Sequence, residues 1–452
     1  ARQPSNLSKP SVDSGKPLDQ ALIFRTWLPL AASWILMGLE IPMVCAVLTK
    51  LADSDIHTGA YGMVFGMALV IESPVIMLLT ASTALSRDWN SYHKLWRLMT
   101  WMSVALTLLH VAIAFTPLYD WIVTEIIKAP EDIIEPGRLG LQIMTPWTWA
   151  IAHRRFHQGV LIRFGHAGVV GWGTGVRLVA DAAVLGAGLL LHKYQGIVVA
   201  GTAVATGVIV EAIYIRWKVR KILHGPLRDA KGPAITMREV ILFYLPIAFA
   251  PTIGLLSQSI LTGAMSRLEF PKLTLAMWPI INSLIFMLRS AGIAFTEVVV
   301  ALLDKPDGPR QLRRFVIWLS IGLSVPIPLL CATPLIDLWL VNVIGLRPEL
   351  AEMGKACLWF AVLMPAVTTW GCYFEGKLIH AKHNRPVTEA VVFFTTSLFA
   401  FISIIVSRQS MPGLNAAVCA MTIGGFLQMA WLWWRCLGLA KTDTEADSPD
   451  TQ

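Results

Sequence analysis

The chain has 452 residues, of which 55% are hydrophobic and 15% are charged, and its mean hydropathy is +0.60. Soluble proteins carry about 25% charged residues, so this composition excludes an ordinary soluble domain. The formal net charge of +8 at pH 7 does not indicate nucleic-acid binding, because the basic residues lie in short segments between apolar runs. The six cysteines have no metal-ligand spacing, and we predict neither a metal site nor a bound cofactor.

Apolar segments long enough to cross a bilayer follow one another along most of the chain. About 20 apolar residues are needed for one helical span, so we predict an all-α integral membrane protein. Twelve spans are predicted at roughly 22–48, 60–86, 94–117, 138–157, 167–191, 195–216, 239–264, 273–303, 312–333, 350–378, 386–406 and 413–436. The predicted division is a polar tail at 1–21, a six-helix half at 22–216, a basic linker at 217–238, a second half at 239–437 and a polar tail at 438–452.

Lysine and arginine are concentrated in alternate connections, including both tails. This asymmetry is typical of cytoplasmic loops. We therefore predict a multi-pass protein of the cell (inner or plasma) membrane with both termini in the cytoplasm. The predicted partners are the lipid bilayer and a small-molecule substrate, with no nucleic acid, and the protein is predicted to be monomeric.

The two halves repeat one another at a constant offset, so that position n returns at n + 217. Leu28-Pro29 returns as Leu245-Pro246, Ser73 returns as Ser290, and Gly159 returns as Gly376. Internal repeats of this kind are typical of transporters. Six spans per half is an even number, so the two halves should be parallel and enclose a cleft suited to alternating access.

One pair of charges inside the predicted spans occupies repeat-equivalent positions. Glu72 lies midway along the second span and Arg289 midway along the eighth. A charge in this environment costs a few kcal/mol, so each needs a partner or a function. We predict that the two residues meet near the midplane as a gate or a substrate site. The alternative is a salt bridge that only locks the halves together.

Arg177 and Asp181 in the fifth span are four residues apart, which places them on one helix face. They either form a self-neutralised pair that joins the helix to a neighbour, or take part in ion coupling with Asp181 as the proton carrier. Glu40 in the first span lies two residues before Pro42, which allows a bend. No basic residue nearby in sequence explains Glu40. We predict a protonatable or cation-binding group there, against the alternative of a neutral acid in packing.

The overall pattern resembles a known transporter superfamily. Leu28-Pro29 and Leu245-Pro246, with the turns FHQGVLIRFGH (156–166) and FEGKLIHAKH (374–383), are similar to the multidrug/oligosaccharidyl-lipid/polysaccharide (MOP) superfamily, which includes the multidrug and toxic compound extrusion (MATE) exporters. The resemblance covers residues 22–437 and implies a MATE-like arrangement of twelve helices.

Two branches of this superfamily imply different substrates. GAYGMVFGMALVIESP (59–74) and TPWTWAIAHRRFHQGVLIRFGH (145–166) look most like the progressive ankylosis branch, which implies export of small anions. The MATE branch implies export of organic cations in exchange for H⁺ or Na⁺. The aspartate that MATE exporters carry in the first span has no equivalent here unless Glu40 replaces it.

These features together predict a secondary active transporter rather than an enzyme. It would export small organic molecules, either drugs and toxins or small organic anions, and would be coupled to H⁺ or Na⁺. The substrate and ion pathway is predicted to include Glu40, Glu72, Arg177, Asp181 and Arg289. The alternative is a flippase for lipid-linked oligosaccharides or other lipid-linked substrates, which would need a more cationic cleft.

Overall fold

The computed structural model describes residues 17–446, apart from residues 128, 233 and 344–347. Every regular element in this part of the chain is helical. Eleven of the helical stretches are long and apolar enough to cross a membrane by their length and composition. The predicted all-α membrane architecture is confirmed. Most of the first predicted tail (1–16) and the end of the second (447–452) lie outside the described residues.

The described chain forms two compact units. Unit 1 consists of Leu28–Ala248, and unit 2 consists of Pro17–Trp27 together with the described residues from Phe249 onward. Unit 1 contains most of α1 (Gln20–Leu48), then α2 (Ser54–Ile76), α3 (Leu78–Leu85), α4 (Trp89–Phe115), α5 (Leu118–Trp121), α6 (Glu131–Ile143), α7 (Thr145–Arg163), α8 (Ala167–Leu191), α9 (Gly196–Leu223) and α10 (Pro226–Asp229).

The next helix, α11 (Met237–Met265), begins in unit 1 and continues into unit 2. Unit 2 then contains α12 (Pro271–Ile293), α13 (Phe295–Leu302), α14 (Gly308–Ser324), α15 (Pro326–Ala332), α16 (Leu335–Asp337), α17 (Pro348–Leu358), α18 (Met364–His380), α19 (Arg385–Arg408) and α20 (Gly413–Ala446). Short π-helical turns follow α5 and α16, at Ile122–Ile127 and Leu338–Val343.

The predicted fourth span, 138–157, is divided between α6 and α7 by a break at Met144. Pro146 at the start of α7 has no N–H group, so the hydrogen-bond pattern of α6 cannot continue through it. This stretch is not among the eleven apolar ones because α7 carries several charged and polar residues. Nearly all of α7 is buried inside unit 1, which brings those residues into the interior of the unit.

The repeat predicted from the sequence is confirmed by the backbone. The break at Met77 between α2 and α3 returns at the same offset as a break at Ala294 between α12 and α13. Residues with left-handed backbone conformation also recur at this offset. They form the pairs Asp53 and Phe270, Gly165 and Lys382, and His192 and Gln409.

Pro74 in α2 shows how unit 1 satisfies a carbonyl that a proline leaves free. Because Pro74 has no N–H, the carbonyl of Val70 lacks its usual helical donor. The hydroxyl of Ser73 donates to that carbonyl over 2.8 Å. The hydroxyl of Tyr244 donates to the carbonyl of Pro74 itself, which ties the start of α11 to unit 1.

The same contacts recur in unit 2. The Ser290 hydroxyl donates to the carbonyl of Met287 at 2.7 Å, and the indole of Trp27 donates to the carbonyl of Ala291 at 2.8 Å. Trp27 and Tyr244 are repeat-equivalent, as are Ala291 and Pro74. The first residues of α11 are therefore held in unit 1 and the first residues of α1 in unit 2, in each case by an equivalent hydrogen bond.

Close packing between α7 and α3 depends on Gly159. A Cβ atom placed at Gly159 would overlap the carbonyl of Leu79 and lie 2.6 Å from Cβ of Ser82. The repeat-equivalent Gly376 is equally crowded, since a Cβ there would lie 2.7 Å from Cβ of Val299. These two glycines therefore allow α7 to pack closely against α3, and α18 against α13.

We expect Gly159→Ala to destabilise the protein by about 1–3 kcal/mol, because the added methyl group overpacks a rigid backbone contact. The thermal unfolding midpoint in one detergent measures this effect. Gly62→Ala is the matched control, since no atom lies within 4 Å of a Cβ at Gly62. That variant should unfold at the wild-type temperature or slightly above it. Equal midpoints for the two variants would contradict the packing role of Gly159.

Candidate functional site

The centre of unit 1 contains an ion pair between α1 and α8. The guanidinium of Arg177 donates from Nε to Oε1 of Glu40 at 3.1 Å and from Nη2 to Oε2 of the same carboxylate. Both side chains are almost completely buried, with 3% of each residue exposed. Two parallel N–H donors on one carboxylate form the strongest ion-pair geometry that arginine can make. Glu40, which no nearby residue explained, is thus bound by a residue far away in the sequence.

Asp181 lies one helical turn beyond Arg177 and is the second carboxylate near that guanidinium. Its Oδ2 atom is 3.9 Å from Nε of Arg177, and the Asp181 carboxylate also interacts electrostatically with Glu40. Neither oxygen of Asp181 accepts a hydrogen bond from a described residue. Gly207 of α9 leaves room for this carboxylate, because a Cβ there would overlap it. One guanidinium is therefore shared unequally between two carboxylates.

A second buried ion pair joins α7 to α9. Nη1 of Arg154 donates to Oε2 of Glu211 at 2.7 Å, and the side-chain exposures are 1% and 0%. The amide of Gln158 donates to the other oxygen, Oε1, at 2.9 Å. Glu211 also interacts electrostatically with Arg177 and Asp181. The two ion pairs consequently belong to one network.

Glu72 is the fourth carboxylate of this network. It is 4% exposed and interacts electrostatically with Arg154, Arg155 and Arg177. Its Oε2 atom accepts no hydrogen bond from a described residue. Arg155 is itself buried, with its guanidinium 5.4 Å from the ring centre of Trp34. An arginine held on an aromatic face retains its charge and can still attract a nearby carboxylate.

The network has one more acid than base. Arginine stays charged in proteins, so the three guanidinium groups can neutralise only three of the four carboxylates. In lipid surroundings an unbalanced charge is costly. The network therefore favours binding one proton or one small cation. Its members are Glu40, Glu72, Asp181, Glu211, Arg154, Arg155 and Arg177.

Unit 2 has a neutral contact at the position that corresponds to the Glu40 pair. Ser257, the repeat equivalent of Glu40, shares a 2.8 Å hydrogen bond with the hydroxyl of Thr395. The two halves therefore differ in charge at this repeat-equivalent position. Arg289, in unit 2, donates from Nε to Oγ1 of Thr368 at 2.8 Å. Glu72 belongs to unit 1, and a meeting of Glu72 with Arg289 stays a prediction.

Sequence reasoning missed three members of this network. Glu211, Arg154 and Arg155 are not among the pathway residues that the sequence predicts. Glu211 is fully buried and is paired, with Arg154. The available signal was the pair of adjacent arginines inside a predicted span, because two neighbouring cations at that depth require buried carboxylates.

His110 in α4 is fully buried. Its Nδ1 atom hydrogen-bonds with the hydroxyl of Thr148 at 3.0 Å, and Nε2 hydrogen-bonds with the carbonyl of Leu141 at 2.9 Å. Both ring nitrogens are used in joining α4 to α6 and α7 beside the break at Met144. His110 is therefore a structural residue of unit 1.

No protein-family model and no curated protein matches the chain. Solved structures do match it along nearly its full length. A crystal structure of a mutant MATE protein has a TM-score of 0.77 and 14% identity, covering 93% of this chain and 96% of that one. An outward-facing multidrug resistance MATE family transporter of the MOP superfamily has a TM-score of 0.73 and 14% identity, with the same coverage.

A third match is a MOP superfamily transporter from Pyrococcus furiosus, described as having a binding pocket of reverse polarity that suggests a different function. Its TM-score is 0.72 and its identity 14%, over 93% of this chain and 95% of that one. At such low identity these likenesses establish the fold alone. The chain has the fold of these MATE transporter structures, which is the fold that the sequence resemblance implied.

The Arg154–Glu211 pair gives a test of how the network is stabilised. Breaking a buried ion pair from one side leaves an uncompensated charge and costs about 3–5 kcal/mol, whereas replacing both partners by apolar residues is nearly neutral. We therefore expect Arg154→Met and Glu211→Leu each to lower the unfolding midpoint strongly. The double variant should recover most of the loss. Purely additive losses in this double-mutant cycle would show that the two side chains are not coupled.

Proposed function

We propose that the protein is a secondary active transporter that exports small organic molecules by alternating access, coupled to H⁺ or Na⁺. The observation that carries this proposal is the excess carboxylate buried at the centre of unit 1, in a chain with the MATE fold. A bound ion is expected to balance that charge in one state of the cycle. Binding drives a conformational change only if the ion has different affinities for the two states.

The position of Arg177 favours the proton as the coupling ion. Its guanidinium already bonds to both oxygens of Glu40. A sodium ion placed among these atoms would be repelled by the guanidinium, since like charges at such distances interact strongly in a weakly polar interior. A proton does not need a separate site beside the guanidinium, because it binds directly to one carboxylate oxygen. Sodium remains the alternative to be tested.

An exchange of arginine partners would couple protonation to movement of α1. While Glu40 is ionised, Arg177 binds it and joins α1 to α8. When Glu40 is protonated, the attraction weakens, and Arg177 can turn toward Asp181, which is 3.9 Å away on the same helix. Release of Glu40 would free the part of α1 that contains Pro42, where the missing N–H permits a bend.

The substrate would contact charged side chains that belong to neither of the two buried ion pairs. In unit 1, Glu72 has a carboxylate oxygen with no described donor, which suits an organic cation. In unit 2, Arg289 is held by the hydroxyl of Thr368, which suits an organic anion. We place the protein in the cell membrane as a monomer with both termini in the cytoplasm, following the distribution of its lysine and arginine residues.

Transport in liposomes tests the proposal. The purified protein is reconstituted, and uptake of a fluorescent organic cation and of a radiolabelled tricarboxylate is measured under an imposed pH or Na⁺ gradient. We expect flux of one substrate that depends on the pH gradient. Glu40→Gln and Asp181→Asn should each reduce the gradient-dependent flux at least tenfold, because each removes a carboxylate that binds or receives the charge.

The control variant for this experiment is Glu389→Gln. Glu389 lies on α19, pairs with Arg435 at 3.1 Å, and has a side chain that is 41% exposed. The variant should therefore transport like the wild type. Flux driven only by Na⁺ would contradict the choice of ion. No flux of either substrate from vesicles containing folded protein would contradict the exporter and favour the alternative, a flippase for lipid-linked substrates.

Substitution of Arg177 separates charge from geometry. Arg177→Lys keeps the cation but cannot form two parallel bonds with one carboxylate, so partial pH-driven flux should remain. Arg177→Gln removes the cation and should abolish that flux while substrate binding, measured by equilibrium dialysis, is retained. Equal flux in both variants would contradict the proposed exchange of partners.

A further inference from the structure

The helix α9 extends beyond the length that a bilayer requires. It contains 28 residues from Gly196 to Leu223, which corresponds to about 42 Å at 1.5 Å per residue. The hydrocarbon core of a bilayer is about 30 Å thick. The helix is therefore about 12 Å longer than the hydrocarbon core, and the charged residues in its last turn, Arg220 and Lys221, place the excess at that end.

The exposed face of this end changes from apolar to aromatic to cationic along its length. Ile213 and Trp217, four residues apart, are 64% and 59% exposed. Arg220 and Lys221, one turn further along the same face, are also exposed. The ammonium of Lys218 lies 4.5 Å from the ring centre of Trp217. This order matches a bilayer boundary, with hydrocarbon, interface and phosphate met in turn.

The fold itself does not require two cations at this position. The repeat-equivalent residues on α20 are Leu437 and Gly438, although that helix occupies the equivalent place in the second half. In the third predicted span of each half, an exposed tryptophan has an arginine one turn away: Arg97 beside Trp101, and Arg314 beside Trp318. The end of α9 is therefore richer in cations than its counterpart.

The segment after α9 adds further positive charge and is held against unit 1. The guanidinium of Arg228 lies 4.7 Å from the ring centre of Trp89, and the ammonium of Lys94 donates to the carbonyl of Ile235. Lys231, between these two contacts, is exposed. A segment fixed in this way keeps its cation close to the helices of unit 1.

We propose that the end of α9, formed by Trp217, Lys218, Arg220 and Lys221, binds the headgroups of anionic phospholipids. The tryptophan sets the depth of the helix at the interface, and the cations reach the phosphate groups of the adjoining leaflet. Clusters of lysine and arginine directly after a membrane helix are attracted to anionic lipids in this way. The proposal does not depend on the transported substrate or on the coupling ion.

Selective retention of lipid tests this surface. The full-length protein is reconstituted in vesicles of phosphatidylcholine and phosphatidylglycerol at a ratio of 4:1, extracted in a neutral detergent, and analysed for bound lipid by mass spectrometry. We expect phosphatidylglycerol to be enriched in the wild type. The variant Arg220→Gln/Lys221→Gln should lose most of this enrichment, at about fivefold per cation in binding constant, and the wild-type enrichment should fall as salt is raised.

The control is Lys382→Gln/Arg385→Gln, which removes the same charge from two exposed residues, one in the turn after α18 and one at the start of α19. It should retain lipid like the wild type. Equal enrichment in all three proteins, or equal loss in both variants, would overturn the proposal. Displacement of the lipid by 10 mM glycerol phosphate would mean that the surface takes free phosphate rather than a headgroup held in the bilayer. The thermal unfolding midpoints of the variants should equal that of the wild type, which shows that a variant that binds less lipid is still folded.

Discussion

The charge that arginine cannot give up is the constraint around which unit 1 is organised. Arg177 and Arg154 are buried among membrane helices, where a lone guanidinium would be costly, so each has a carboxylate supplied by another helix. These two contacts join α1 to α8 and α7 to α9. The packing follows from the same need, because Gly207 provides the space that the carboxylate of Asp181 occupies. Electrostatic balance and helix packing are therefore two aspects of one arrangement.

Duplication preserved the framework of the halves and allowed their centres to diverge. Asp120 and Arg138 form an ion pair in unit 1, and their repeat equivalents, Asp337 and Lys355, form one in unit 2. These pairs are partly exposed and contribute little to stability. Their persistence indicates inheritance of the same helix ends. At the centre, by contrast, unit 2 has Ser257 in place of Glu40 and Phe394 in place of Arg177, and Ser257 hydrogen-bonds with Thr395 instead.

The sequence predicted the helices and the repeat well, because hydropathy and a constant offset are properties of the chain itself. It also singled out Glu40, Arg177 and Asp181 as charges inside apolar runs, and all three are buried in unit 1. It could not predict that Glu40 binds Arg177, because the two lie far apart along the chain and only the packing of α1 on α8 brings them together. Glu211 is not among the predicted pathway residues for a related reason, since its burial and its ion pair depend on the packing of α7 against α9.

In the proposed mechanism, the difference between the halves separates ion binding from substrate binding. Unit 2 also contains a buried carboxylate, Glu297, which interacts electrostatically with Glu375. Among the described residues, however, a carboxylate bound by arginine at the position of Glu40 is found only in unit 1. The hydroxyl pair of Ser257 in unit 2 keeps the helices in contact without a charge that responds to protonation. In the proposed mechanism, unit 2 would present Arg289 to a substrate, while unit 1 would carry the ion-dependent change in α1.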